Sequence, residues 1–166
     1  MSEPRWITEA EVFGLGSEIK VAEVTLTNAQ IITLPTVPVV IVPAPGIGNI
    51  VSFITAVVLL DTSAGVYTNG PTGTDSGMAF STGVFDVSTY GLQGNYGLQA
   101  KGIQVFGQFV QWNSDLGLAP SLILGSLSDF ENKSIEIYIS STNGNLTGGN
   151  TANTMKVIVC YLPIKL

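Results

Sequence analysis

The sequence predicts an all-β chain: a single-domain, two-sheet β-sandwich, of the jelly-roll kind, with an extended N-terminal arm. Three observations predict it. Runs rich in Val, Ile, Thr and aromatic residues recur, about seven to nine of them, between linkers rich in Gly, Asn, Pro and Ser. No stretch has the periodicity of a long amphipathic helix, and no repeat of fixed period is visible. The segment 26–61, which carries almost no charge, strings together a strand end, a helical turn, a proline-punctuated edge strand, a tight turn and a long β-branched run.

Residues 1–20 differ from the rest and read as an arm, with residues 21–166 as the β-domain. They hold Glu3, Glu9, Glu11 and Glu18 together with Trp6 and Phe13, and Gly14 and Gly16 break any helix. This segment reads either as an arm whose aromatics, Trp6 and Phe13, pack on a neighbouring chain, or as a frayed terminus. Residues 21–27 alternate as a first strand. Residues 28–34 suit one helical turn capped by Thr27 or Asn28. Pro35 and Pro38 exclude a helix interior or central strand, which leaves an edge strand over 37–42. Pro43-Ala44-Pro45-Gly46 reads as a turn, with Gly46 and Gly48 free to take positive φ. Residues 50–60 are almost continuously apolar and β-branched, the pattern of a long interior strand.

Farther on, 61–77 reads as loop with a short strand at Val66 and Tyr67. Residues 78–85 and 87–90 suit strands, and 91–102 is a Gly- and Gln-rich loop. Residues 103–112 have high β propensity, although the middle breaks the period of two. Residues 116–127 are apolar and ambiguous. Residues 134–140 alternate cleanly, 143–153 is a polar loop, and 155–162 closes the chain as a strong strand. That last strand is apolar on both faces: Val157, Val159 and Tyr161 on one, Ile158, Cys160 and Leu162 on the other. One face therefore has a second surface to meet.

The chain has 166 residues, one domain's worth, enough to bury roughly 70% of its unfolded surface. Charged residues make up 11% of it, with a net charge of −6, against ~25% in ordinary globular chains. Such a surface belongs either to a Ser/Thr/Asn-rich β-protein or to one that buries part of its exterior against other subunits. The basic residues Arg5, Lys20, Lys101, Lys133, Lys156 and Lys165 are scattered and form no stripe for phosphates, which speaks against nucleic acid. The longest apolar run, 53–60, falls far short of the ~20 residues of a membrane span, so no membrane partner is expected. No secretory signal is visible near Met1.

Chemistry has little to work with. There is no histidine and one cysteine, Cys160, which removes His-based catalysis, His-bearing metal sites and intrachain disulfides. Cys160 itself reads as a small buried hydrophobe. Gly46-Ile47-Gly48 begins like a dinucleotide fingerprint but precedes a β-branched run and lacks the third glycine. Paired carboxylates for glycoside hydrolysis would come from Asp61, Asp75, Asp86, Asp115, Asp129, Glu131 and Glu136. Most of these sit in turn contexts, and Glu136 is expected to face solvent. Calcium could be sought at Asp61 with Asp75, or at Asp129, Glu131 and Asn132, but neither has Asp-rich calcium-loop spacing. Tyr67, Tyr90, Tyr96 and Trp112, in or near loops, either stack on sugars or cap the ends of the sandwich. Asn132-Lys133-Ser134 and Asn145-Leu146-Thr147 match the glycosylation triplet without a signal to support it. The expectation is a protein with no catalytic residue, no cofactor and no metal.

The run Leu34-Pro35-Thr36-Val37-Pro38-Val39-Val40-Ile41-Val42-Pro43-Ala44-Pro45-Gly46, after a helical turn and before a β-branched strand, resembles a segment of small virion proteins of tailed bacteriophages. There the pattern L-x-T-x-P-[VI]-x-[LIV]-V-P-A-P-G opens a β-sandwich, and some relatives are capsid decoration, or cement, proteins with jelly-roll folds. The matching positions, among them Pro38, Pro43, Pro45 and Gly46, are structural. The likeness runs from Leu26 to Tyr67, about a quarter of the chain, and the acidic arm lies outside it. It implies a non-enzymatic homotrimer on the virion, at the capsid surface, whose partner is the major capsid protein and which clamps neighbouring shell subunits. Two other readings stay open: a tail, baseplate or fibre component recognising host surface glycans, and a β-sandwich lyase or hydrolase.

Overall fold

The computed structural model describes residues 18–68, 78–82, 85–90, 101–110, 127–139 and 144–166. Ten strands and two short helices appear among them, all strand pairs are antiparallel, and the chain is all-β in class. The strands are β1 (Lys20–Thr27), β2 (Val39–Val42), β3 (Asn49–Asp61), β4 (Tyr67–Thr68), β5 (Met78–Thr82), β6 (Phe85–Tyr90), β7 (Ile103–Val110), β8 (Ile135–Ile139), β9 (Thr147–Gly148) and β10 (Thr154–Lys165). The helices are α1 (Asn28–Thr33) and α2 (Leu127–Phe130).

Two four-stranded sheets carry the fold, one in the order β1-β10-β3-β7 and the other β2-β8-β5-β6, and β4 pairs with β9 alone. Apart from that small pair the pairing is nested. The first strand meets the last, β2 meets β8, β3 meets β7, and β5 meets β6. Pairs β10–β3 and β8–β5 then join the nested hairpins into the two sheets.

One hydrophobic cluster joins the inner faces of both sheets. Register sets its rows: Leu26, Met155 and Leu60 stand opposite one another, as do Val24, Val157 and Val58. Facing them are Ile135, Ile137 and Ile139, the buried half of the clean alternation in β8. Phe53 and Phe80 bridge the two sheets with ring centroids 5.3 Å apart, at 34°.

The first half follows its sequence closely. Helix α1 opens with a complete capping box: the Thr27 hydroxyl accepts the Gln30 N–H while the Gln30 side chain accepts the Thr27 N–H. Ile31 and Leu34, fully buried, plug one end of the core. Strand β2 is an edge, as its flanking prolines require. It starts at Val39, because the Val37 N–H still bonds the Thr33 carbonyl, and Pro38 leads into it.

Some boundaries move. The turn sits at Gly46–Asn49, where the Asn49 N–H bonds the Gly46 carbonyl, so Pro43–Pro45 are the extended approach to it. The strand expected over 78–85 ends at Thr82, and Phe85 instead begins β6. Strand β10 runs past Leu162 to Lys165 and contains Pro163. That proline fits because β1 pairing reaches only Tyr161, so beyond it β10 has β3 on one side and needs no donor on the other. The short strand expected at Val66 and Tyr67 is Tyr67–Thr68, and its partner β9 arises inside the expected polar loop. Lys20 already belongs to β1, one residue inside the expected arm. Residues 1–17, with Trp6 and Phe13, lie outside the described residues.

Candidate functional site

Among the described residues, Asp61, Glu131 and Glu136 are each engaged in local hydrogen bonds. Asp61 Oδ1 accepts the Ser63 N–H at 2.8 Å, and the Ser63 bonds hold its carboxyl below the ordinary range. Glu131 Oε1 accepts the Gly48 N–H at 2.6 Å, and Asn132 Oδ1 accepts the Gly46 N–H at 2.8 Å. The oxygens of that calcium candidate therefore hold the 46–49 turn in place. Glu136 lies half-buried on the outer side of β8, where Ser134 Oγ donates to it at 2.8 Å. Among the described residues no three His, Cys, Asp or Glu converge in a metal-binding group. Asp75 and Asp115 lie outside the described residues, as does the side chain of Asp86.

Tyr67 is not available to a sugar. It is fully buried, its hydroxyl donates to Asn28 Oδ1 at 2.7 Å, and burial pushes its phenol up, with Asn153 acting in the opposite sense. Gly149 passes so close that an added Cβ would stand 2.5 Å from the ring. Tyr96 and Trp112, and the side chain of Tyr90, lie outside the described residues. Gly46-Ile47-Gly48 leads into strand β3, not a helix, so it cannot cradle a pyrophosphate.

What the fold does build is an apolar surface. The inner rows of the β1-β10-β3-β7 sheet fix its outer rows, because side chains alternate across a strand. On the outer face Val21 stands opposite Cys160, Glu23 opposite Ile158 and Val57, and Lys156 opposite Leu59, which in turn faces Val105. Val21, Ile103 and Val105 are 63%, 66% and 65% exposed. Cys160, expected in the core, is half-exposed in this face, because the inward positions of β10 are the odd ones from Met155 to Val159. The ion pair Glu23–Lys156, at 2.7 Å, crosses the face. Four strands spaced ~4.8 Å apart and about eight residues long make it about 500 Å².

The proline segment forms a second feature. Lys20, Pro43, Pro45, Tyr161, Pro163 and Lys165 help to line a groove of ≈590 Å³ beside the 46–49 turn. Gly46 and Gly48 adopt φ of +94° and +78°, the freedom expected of them. The Leu166 N–H bonds the Gly48 carbonyl at 2.8 Å, tying the chain end to the same turn.

Sequence reasoning gave Asn28 and Asn132 other roles, as a helix cap and as a calcium or glycosylation candidate, and missed Asn153 altogether. Asn153 Nδ2 donates to the Gly65 carbonyl at 2.6 Å from inside the core. One signal was present: Asn132 is an Asn two residues past α2, and Asn is among the residues that end helices in the left-handed conformation, which it adopts with φ +54°.

No protein-family model matches the chain, and no curated protein matches it. Among solved structures it is similar to a chain of a structure titled "Cyanophage Pam1 capsid asymmetric unit", at 13% identity over 96% of this chain and 94% of that one, with a TM-score of 0.39. Among the described residues no helix is long and apolar enough to cross a membrane.

Proposed function

We propose that the chain is a non-enzymatic virion structural protein, a capsid decoration protein that binds the outside of the shell as a homotrimer and stabilises it. The observation that carries this reading is the outer face of the β1-β10-β3-β7 sheet. It sets Val21, Ile158, Val57, Leu59, Ile103 and Val105 on one side of the sheet, with the Glu23–Lys156 pair crossing between them, and exposed apolar groupings of this kind mark interaction sites on soluble proteins, here on a chain with 11% charged residues. The nested pairing supports a jelly-roll sandwich: eight strands folded as one long hairpin give these two strand orders, an architecture common in viral capsid domains. The proline run that resembles phage virion proteins is used here as scaffold, fixing the edge strand and the turn at one end of the sheets.

Mass action supplies the mechanism. A protein that binds the expanded shell and not its dissociated subunits stabilises it by RT ln(1 + [L]/Kd), about 2.7 kcal/mol per site at a hundredfold excess over Kd. The clamp requires one decoration protein to touch neighbouring major capsid subunits at once. Electron cryomicroscopy of the virion that encodes this chain tests the reading. Three copies on the outer surface of the head, with the apolar face buried against one another or the shell, are expected; a location in the tail overturns it.

A further inference from the structure

We infer that the groove between the start of β1, the 43–49 segment and the end of β10 receives residues 1–17 of a second copy of this chain, with Trp6 as the anchor and Glu9 and Glu11 against Lys20 and Lys165. The inference deepens the trimer reading by giving the contact between copies a site.

Three observations carry it. The first is chemical fit. The groove has Val42 and Val51 in its lining, rigid walls of Pro43, Pro45 and Pro163, and the half-buried ring of Tyr161. Proline and tyrosine surfaces suit the flat face of an indole. Its volume, ≈590 Å³, is ample for an indole and lies in the range of ligand-binding clefts. The second is charge. Lys20 and Lys165 stand exposed at the groove, outnumbering Glu18 in the same lining, and neither forms an ion pair among the described residues, while the segment carries Glu3, Glu9 and Glu11 against Arg5 alone. Opposite charge of this kind fixes register and orientation more than raw affinity.

The third is reach and area. Trp6 stands twelve residues before Glu18, which itself lines the groove, so a fully extended connection would carry the indole up to about 41 Å from that rim. A globule of about 150 residues is about 38 Å across, so that length is enough to reach the same groove on an adjoining copy. The apolar outer face offers about 500 Å², less than the ~800 Å² per partner of a standard stable interface. An exchanged segment supplies the missing area, and passing it head to tail closes a ring.

The test uses the full-length protein, free of any shell, with the photoreactive benzoylphenylalanine in place of Trp6. Equal amounts of ¹⁴N and ¹⁵N protein are mixed, irradiated and mapped by mass spectrometry. Cross-links from position 6 to the 42–45 or 161–165 segments in mixed-isotope pairs are expected, at up to half of all products for random exchange. The double variant Lys20→Glu/Lys165→Glu lowers their yield several-fold, and Glu9→Lys/Glu11→Lys restores it in that background. Cross-links confined to single-isotope products, cross-links to other surfaces, or a yield unmoved by the lysine reversals each overturn the inference. Because no shell is present, its failure leaves the capsid reading standing, and loss of shell binding with the cross-links intact overturns the capsid reading alone.

Discussion

Gly149 and Gly46 both hold positive φ, +74° and +94°, yet substitution affects them differently. A Cβ on Gly149 would stand 2.5 Å from Tyr67 Cε1 and 2.7 Å from Asn28 Oδ1, whereas one on Gly46 meets nothing within 4 Å. Gly46→Ala is expected to cost only the backbone strain, about 1–2 kcal/mol, and Gly149→Ala about 3 kcal/mol or more, because a buried ring and its hydrogen bond must also move. Urea unfolding of the two variants, compared with the parent, checks the order. The same corner gives a pH dependence. Burial raises the Tyr67 phenol above its usual value of about 10, so the folded chain keeps a proton that the unfolded chain releases. The native state then binds more protons, and this contribution to stability is lost as pH rises from about 10 towards the raised value. The urea midpoint of the parent is expected to fall more steeply between pH 9 and pH 11 than that of Tyr67→Phe, which starts about 1 kcal/mol lower for the lost bond to Asn28. Little of this corner was legible in the sequence. Tyr67 lies in a Gly-rich stretch that resembles an exposed loop, and only the crossing of 147–149 shows that it is core. Glu131 likewise read as a loose acidic turn, and its role depends on Gly48, 83 positions away.

Elements were far more legible than contacts, because their signals are local. Thr27 and Gln30 form the capping box within one turn, and Thr27→Ala is expected to destabilise the fold by about 1 kcal/mol, read as a lower urea midpoint with an unchanged m-value. Thr27→Ser, which keeps the hydroxyl, is expected to restore most of it. The break in period at the middle of 103–112 has a physical counterpart: Ala56 opposes Phe109 and Val58 opposes Phe106, so β7 holds an extra residue there, next to Gly107. Strand β3 has its own irregularity. Phe53 and Thr55 stand opposite the consecutive residues Tyr161 and Cys160, so Ile54 is extra, and the buried set passes from Val51 and Phe53 to Ala56, Val58 and Leu60. In the sequence that change of phase is hidden, since 50–60 is apolar at nearly every position. Continuous apolarity announces an interior strand but not which residues face inward. For the same reason Cys160 was expected in the core and stands on the outer face.

At the scale of the molecule, the order of strands follows from pairing first with last, and no local signal encodes it; only the number and spacing of strands pointed to two sheets. The outer face was legible in part, from the two apolar faces of β10, and its extent became visible only when register set Val21, Ile158, Val57, Leu59 and Val105 side by side. That face makes the last prediction. Val21 and Val105 stand near opposite edges of it, 63% and 65% exposed, so neither contributes much to the core. Val21→Glu with Val105→Glu is expected to leave the unfolding free energy, measured in urea, within about 0.5 kcal/mol of the parent, as for other exposed substitutions. In an assembled particle the same carboxylates would be buried without partners, at a cost of several kcal/mol per interface. Between them lies the Glu23–Lys156 pair, 2.7 Å long and worth little while exposed. Sealed inside an interface it becomes costly to break, and Lys156→Ala would leave Glu23 buried alone. Analytical ultracentrifugation and sedimentation with intact capsids check both variants. Monomeric, folded protein that no longer sediments with the shell is the expected result. Unchanged self-association and shell binding would assign the contact to another surface.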